Sequence, residues 1–254
     1  MIRAATTVLR PIAELGAMGL FLLQVLRVAP TRAARAGTLA SLLVRIGTRS
    51  LTLVLAAGFC VGAMLAVQFH DTLTRFGSPS MLGAAVALSL VRELGPVLCA
   101  LLLLGRAGSA LAAEIASMRG TQQIDALACM GIDPLAYLVV PRLLACVLSL
   151  PLLTALFDVA GLTGGMLVGA ISFGSPGAIV LDSAASGIDA DDVMMGLIKS
   201  LVFGFLLGWI CLGRAFLAPA VRGTEDLARV SGDAVVIASL AILGADYLLS
   251  ALLP

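Results

Sequence analysis

The sequence predicts an all-α polytopic membrane protein, and three observations carry that expectation. Apolar residues make up 60% of the 254 and charged residues only 12%, about half the charged share of soluble domains. Mean hydropathy over the chain is +1.10. The apolar residues also come in runs long enough to cross a bilayer, since roughly 20 residues at 1.5 Å rise span the hydrocarbon. Five transmembrane helices result, at about 50–70, 81–105, 137–171, 193–213 and 232–252. The third is long enough to tilt, or to kink at Pro151.

Positive charge orients these spans. Arg3, Arg10, Arg27, Arg32, Arg35, Arg45 and Arg49 precede the first. Arg106, Arg119 and Arg142 flank the second-to-third connection, and Arg214, Arg222 and Arg229 lie between the fourth and fifth. That is thirteen, against Arg75 alone in the remaining two connections. The 172–192 connection holds Asp182, Asp189, Asp191 and Asp192 and no base. Basic loops stay inside, so the N-terminus is expected in the cytoplasm and the C-terminus outside.

Residues 8–26 (VLRPIAELGAMGLFLLQVL) precede the spans. A cleaved signal peptide is one reading, but Pro11 and Glu14 interrupt the apolar run and Arg27, Arg32 and Arg35 follow at once. The preferred reading is a retained amphipathic helix lying in the inner interface. The chain then divides into a cytoplasmic or interfacial segment, 1–46, and a transmembrane domain, 47–254.

The second-to-third connection reads GRAGSALAAEIASMRGTQQIDALACMGIDP over 105–134. Gly105, Ser109 and Ala113 form a small-residue stripe at spacing four, with Ala112 and Ala116 beside it, a pattern that lets helices approach closely. Gly120 punctuates and Thr121 is placed to cap. Ile124, Leu127 and Ala128 make an apolar face opposite Gln122 and Asp125, and Gly131 and Pro134 stop the helix. A short amphipathic helix held between two spans suits docking, with a plain solvated connector as the alternative.

Charges within spans are costly, about 2.5–3.5 kcal/mol at mid-bilayer on insertion scales, and face cavities or partners. Arg92 and Glu93 stand side by side in LVRELGPV (90–97), with Glu93 near mid-membrane. Neighbours on a helix diverge by about 100°, so the two are expected to serve different surroundings. Pro96 cannot donate to the carbonyl of Arg92, which predicts a kink. The pair then forms either a polar spot in a dry setting or ion pairs with other helices.

Lys199 and Asp246 lie at matching depth on consecutive antiparallel spans. A cross-helix ion pair is expected there, with snorkelling of Lys199 as the alternative. Asp158 sits in FDVAGLTGG among glycines that bring backbones close. His70, the single histidine, ends the first span and suggests no chemistry of its own.

Absences narrow the function. Lys199 is the sole lysine, so no GxxxxGK[ST] loop for ATP exists, and HExxH and GxSxG are missing too. Asp158 and Asp246 suggest an intramembrane aspartyl protease only superficially, because Asp246 follows Gly-Ala rather than Gly-x-Gly. Cys60, Cys99, Cys129, Cys146 and Cys211 form no CxxC pair and read as small apolar residues. A non-catalytic membrane protein that binds neither metal nor nucleic acid is expected.

The RELGP, GRAGSA, AEI, MR and MGIDP series, together with LSLPLLTALF, LIKSLVF and LGADYLLSAL, resembles the MlaE (YrbE-type) permeases of lipid-transporting ABC systems over about 45–252. The resemblance implies a homodimeric inner-membrane permease of phospholipid that maintains outer-membrane asymmetry. Two cytoplasmic ATPase subunits would bind ATP and Mg, leaving no cofactor in this chain. A periplasmic MCE-domain ring and, in some systems, a STAS-domain protein would complete the assembly. It also implies that Arg92, Glu93 and Leu94 border the lipid cavity. The coupling helix to the ATPase would span about Glu114–Met130 and include Met118, Arg119, Gln122 and Asp125. The embedded ion pair would be Lys199 with Asp246, and the lead-in segment would be the family's elbow helix. The competing class is an ion-coupled secondary transporter or channel using Glu93 and Asp246, against which the lack of an inverted repeat weighs.

Overall fold

The computed structural model describes residues 2–28, 36–173, 177–219 and 223–252. Arg32, Arg35 and Arg222 of the charge pattern lie outside them. Every regular element among the described residues is helical: α1 (Ile2–Val28), α2 (Ala36–Arg75), α3 (Leu82–Ser89), α4 (Gly95–Leu103), α5 (Ser109–Gly120), α6 (Gln123–Cys129), α7 (Val140–Phe173), α8 (Gly177–Ser186), α9 (Ala190–Leu217) and α10 (Thr224–Leu252). Three π-helical turns, Leu90–Leu94, Leu104–Gly108 and Leu135–Val139, join α3 to α4, α4 to α5, and lead into α7.

Five stretches are long and apolar enough to cross a membrane: Gly37–Arg75, Leu82–Gly120, Leu135–Phe173, Ala190–Leu217 and Thr224–Leu252. They contain the five expected spans, but the helices overrun them. Helix α2 starts well before residue 50, and the second stretch continues past 105 through α5. Main-chain groups are better satisfied by continuing a helix than by stopping at the hydrocarbon edge, so apolar runs understate helix length. Pro151 lies inside α7, which continues through it. The 172–192 connection is not a plain loop, because α8 packs its buried Val180 and Ala184 toward α3, where a Cβ on Gly83 would overlap the Val180 carbonyl.

The chain divides into two compact units whose boundaries fall within the long helices. Unit 1 comprises Met1–Leu43, Leu104–Cys146 and Phe205–Ala241. In it, α1 buries Met18, Phe21 and Val25 while Leu15, Leu20, Leu23 and Leu26 remain exposed, the two-faced pattern of an amphipathic helix. The Trp209 indole N–H donates to the Met18 carbonyl at 3.2 Å, and Arg214 pairs with Glu14 at 2.7 Å. Phe21 packs on Phe216 at 5.6 Å between ring centroids, and the Arg119 guanidinium lies 5.9 Å over the same ring.

Unit 2 comprises Val44–Leu103, Val147–Gly204 and Ile242–Pro254. Its α2 and α7 meet backbone to backbone: a Cβ on Gly62 would overlap the Gly161 carbonyl, and one on Gly164 the Phe59 carbonyl. Gly58 and Gly62 face Gly161 and Gly165, two small-xxx-small pairs that permit this approach. Gly105, at the head of the stripe singled out from sequence, has open space among the described residues where a Cβ would stand.

Candidate functional site

The site is built on the π-helical turn Leu90–Leu94 of unit 2. Because Pro96 has no N–H, the carbonyl of Arg92 loses its usual i+4 donor. The backbone adapts with a wider turn in which the Gly95 N–H reaches the Leu90 carbonyl, five residues back. The helix proceeds directly into α4, so the deformation takes the form of a π turn. Such turns carry an extra residue per turn and often sit at functional sites.

Arg92 and Glu93 leave this turn toward two points on α9. Arg92 Nη1 stands 3.5 Å from Asp192 Oδ1, whereas Glu93 Oε2 accepts from Lys199 Nζ at 2.7 Å. Asp192 and Lys199 are seven residues apart, two helical turns on one face and about 10.5 Å along the axis. Adjacent residues thus grip one helix at two heights. Leu94 completes the turn, half-buried.

Lys199 is wholly buried, and its three N–H groups have three neighbours. Besides Glu93, Ser250 Oγ lies at 2.8 Å and Asp246 Oδ1 at 3.3 Å. The Asp246 contact is ionic without hydrogen-bond alignment, because Asp246 Oδ1 has no directed donor among the described residues. Ser250 donates its single proton to the Asp246 carbonyl at 2.9 Å and lies 3.3 Å from each Glu93 oxygen. The sequence-expected pair Lys199–Asp246 is therefore one side of a cluster that Glu93 and Ser250 complete. Sequence reading overlooked Ser250, although its place one helical turn beyond Asp246 (i+4) was a usable signal.

The electrostatics follow from the count. Glu93, Asp246 and Lys199 carry a formal charge of −1 when ionised. The lysine has 0% of its side chain exposed, but Glu93 has 40% and Asp246 22%. Both carboxylates lie within membrane-spanning stretches, where hydrocarbon offers a carboxylate no hydrogen bonds.

Asp158 lies elsewhere in unit 2, with Oδ1 lacking a hydrogen-bond partner among the described residues. A Cβ on Gly95 would overlap that oxygen, so the glycine allows α4 to close on α7. His70 stacks on Phe173 at 3.5 Å and 9°, a packing contact.

The residues expected to couple to a partner lie in unit 1 and divide into two sets. Glu114 and Arg119 face inward: the buried Arg142 donates to Glu114 Oε1 at 2.7 Å and to the Leu138 carbonyl at 2.8 Å, and Arg119 covers Phe216. Met118 is half-buried on α5. Gln122 and Asp125 are exposed at and on α6, which buries Ile124 but leaves Ala128 exposed. Thr121 does not cap α6, for its hydroxyl donates back to the Ser117 carbonyl at 2.9 Å. Gln122 instead turns the chain with φ +57°, and Gly131 ends α6 with φ +74°. Met130, the expected end of the coupling helix, and Tyr137, to which sequence reading assigned no role, stand 65% and 60% exposed at this tip.

Against known proteins, the sequence profile of the family described as Permease MlaE matches residues 39–252. The chain belongs to the MlaE permease family. The MlaE match takes in the π turn, Lys199, Asp246, Ser250 and α6. Among relatives, the intermembrane phospholipid transport system permease protein MlaE of Haemophilus influenzae is 38% identical over 212 residues, covering 82% of this chain and 79% of that protein. A probable ABC transporter permease protein of Rickettsia typhi is 39% identical over 208 residues, covering 82% and 80%. The chloroplastic protein TRIGALACTOSYLDIACYLGLYCEROL 1 of Arabidopsis thaliana is 34% identical over 206 residues, covering 81% and 58%. This MlaE-family chain is thus a multi-pass membrane permease.

Proposed function

We propose that this chain is the membrane subunit of an ABC transporter that moves phospholipid between the inner membrane and the outer envelope of a bacterium, maintaining outer-membrane asymmetry. It works as a homodimer in the inner membrane, N-terminus cytoplasmic and C-terminus periplasmic. Two cytoplasmic ATPase subunits supply ATP and Mg chemistry, and a periplasmic MCE-domain ring receives or delivers the lipid. A STAS-domain protein joins in some such assemblies.

The observation that carries this reading is the opened cluster of Glu93, Asp246 and Lys199 beside Arg92 on a π turn. A phospholipid head group is polar and charged while its tails are apolar, so a polar patch set among half-buried Val91, Leu94 and Val97 suits it. The names of relatives that speak of phospholipid transport and of ABC permeases support the same reading. An ion-coupled carrier using Glu93 and Asp246 would have to load its cation beside the Lys199 ammonium, which disfavours a cation there.

Reconstitution tests it. The complex, purified through a tag on this chain, should contain an ATPase subunit and move labelled phospholipid only when ATP is supplied. Transport that follows an ion gradient and ignores ATP would sink the proposal.

A further inference from the structure

A second polar recess lies in unit 1, away from the charged cluster. It is a cleft of about 540 Å³, within the 300–1,000 Å³ range of small-ligand sites. Glu14 of α1, Arg214 of α9, and Arg229 and Asp233 of α10 line it, with Ala17 and Leu217 among its apolar walls. Its place in the chain sets its depth. Leu217 closes one membrane-spanning stretch and Thr224 opens the next, so the cleft lies at a span end, where head groups meet protein whichever side faces the cytoplasm.

We propose that this cleft holds the head group of a zwitterionic phospholipid bearing a primary amine, the phosphoethanolamine class. Among the described residues two bases and two acids line it, Arg214 and Arg229 with Glu14 and Asp233, a mixed lining that complements a group carrying both signs. Arg214 is engaged by Glu14 at 2.7 Å. Among the described residues Arg229 makes one ion pair, a long, solvent-exposed contact to Glu225 at 3.7 Å, of the kind worth little, so its guanidinium is available to a phosphate. Asp233 follows one turn later (i+4) on the same face and accepts N–H donors. A quaternary ammonium has no N–H to give and is recognised by aromatic faces, and no aromatic residue lines the cleft among the described residues. Apolar walls at Ala17 and Leu217 suit the start of the acyl chains.

Native mass spectrometry of the delipidated complex decides the matter, with phosphatidylethanolamine, phosphatidylcholine and phosphatidylglycerol offered at equal concentration. Retention of the ethanolamine lipid should exceed that of the other two about fivefold, the effect of one exposed charge-assisted contact. Asp233→Asn should erase its advantage over the choline lipid, and Arg229→Gln should lower retention of all three. Glu93→Gln, at the separate cluster, should leave the preference in place, which separates this cleft from the transport site. Equal retention of the three lipids by the wild-type complex would overturn the proposal. So would a preference that survives both cleft variants while thermal unfolding shows them folded, or a partner-protein segment cross-linked from position 233.

Discussion

Lys199 Nζ stands 2.7 Å from Glu93 Oε2 with no part of its side chain exposed, and Asp246 Oδ1 lies on its other side at 3.3 Å. One ammonium thereby holds a π turn of the second span and the fifth span to the fourth. Two carboxylates around one lysine make the lysine the member whose loss costs most, since both acids are then left uncompensated.

Lys199→Met should therefore destabilise the protein by about 2–3 kcal/mol, less than the 3–5 kcal/mol of a fully buried broken pair because Glu93 keeps some exposure. Adding Glu93→Gln and Asp246→Asn should restore part of the loss. Thermal unfolding of the purified chain measures this. If the triple variant is no more stable than Lys199→Met alone, the three groups are not coupled.

Charge reversal gives a sharper test. On sequence alone, exchanging Lys199 and Asp246 should be better tolerated than either single change. The structure alters that expectation, because the exchange removes from position 199 the ammonium that pairs with Glu93 and puts a like charge on that side. Lys199→Asp with Asp246→Lys should transport poorly, and adding Glu93→Gln should recover activity about fivefold or more, as expected when a like-charge contact worth ~1 kcal/mol is removed. ATP-driven lipid transport is the readout. The simple exchange outperforming the triple variant would show that Glu93 does not face Lys199.

Backbone contact between α2 and α7 makes a third prediction. Gly62→Val places two methyl groups where the Gly161 carbonyl lies and should cost about 2 kcal/mol or more through overpacking. Gly47→Ala on the same helix meets open space and should be neutral or stabilising by up to about 1 kcal/mol from helix propensity. Folded yield in detergent and unfolding temperature distinguish the two. Equal tolerance at both positions would mean the helices do not touch at Gly62.

What could be read from sequence follows physical lines. The spans were legible because hydrocarbon demands length and apolarity, two quantities visible in one dimension. The mid-span charges Arg92, Glu93, Lys199 and Asp246 were legible because they violate that rule. Their partners were legible only where depth could be matched, as for Lys199 and Asp246. Glu93 joining the same lysine depends on the rotation of the π turn, which no periodicity of 3.6 encodes. Ser250 was hidden because a serine in a helix usually bonds its own backbone, as it also does here. The inward turn of Glu114 toward Arg142 was invisible for a similar reason, since that contact joins residues 28 apart across a helix reversal.

That inward turn separates structural from docking residues in the second-to-third connection. Arg142→Ala should lower the unfolding temperature, because it removes the buried guanidinium's hydrogen bonds to Glu114 and to the Leu138 carbonyl at a cost of about 1–3 kcal/mol, while Arg142→Met should lose less by filling the volume. Asp125→Arg and Met130→Asp alter exposed positions and should change stability by no more than about 0.5 kcal/mol. If α6 and its tip seat an ATPase subunit, either exposed change should weaken copurification of that subunit tenfold or more, in line with an interface hot spot worth ~2 kcal/mol. Gln122→Gly relieves a left-handed backbone at φ +57° and should raise stability by up to about 1 kcal/mol. An ATPase that copurifies undiminished with Met130→Asp and Asp125→Arg places its seat elsewhere on the chain.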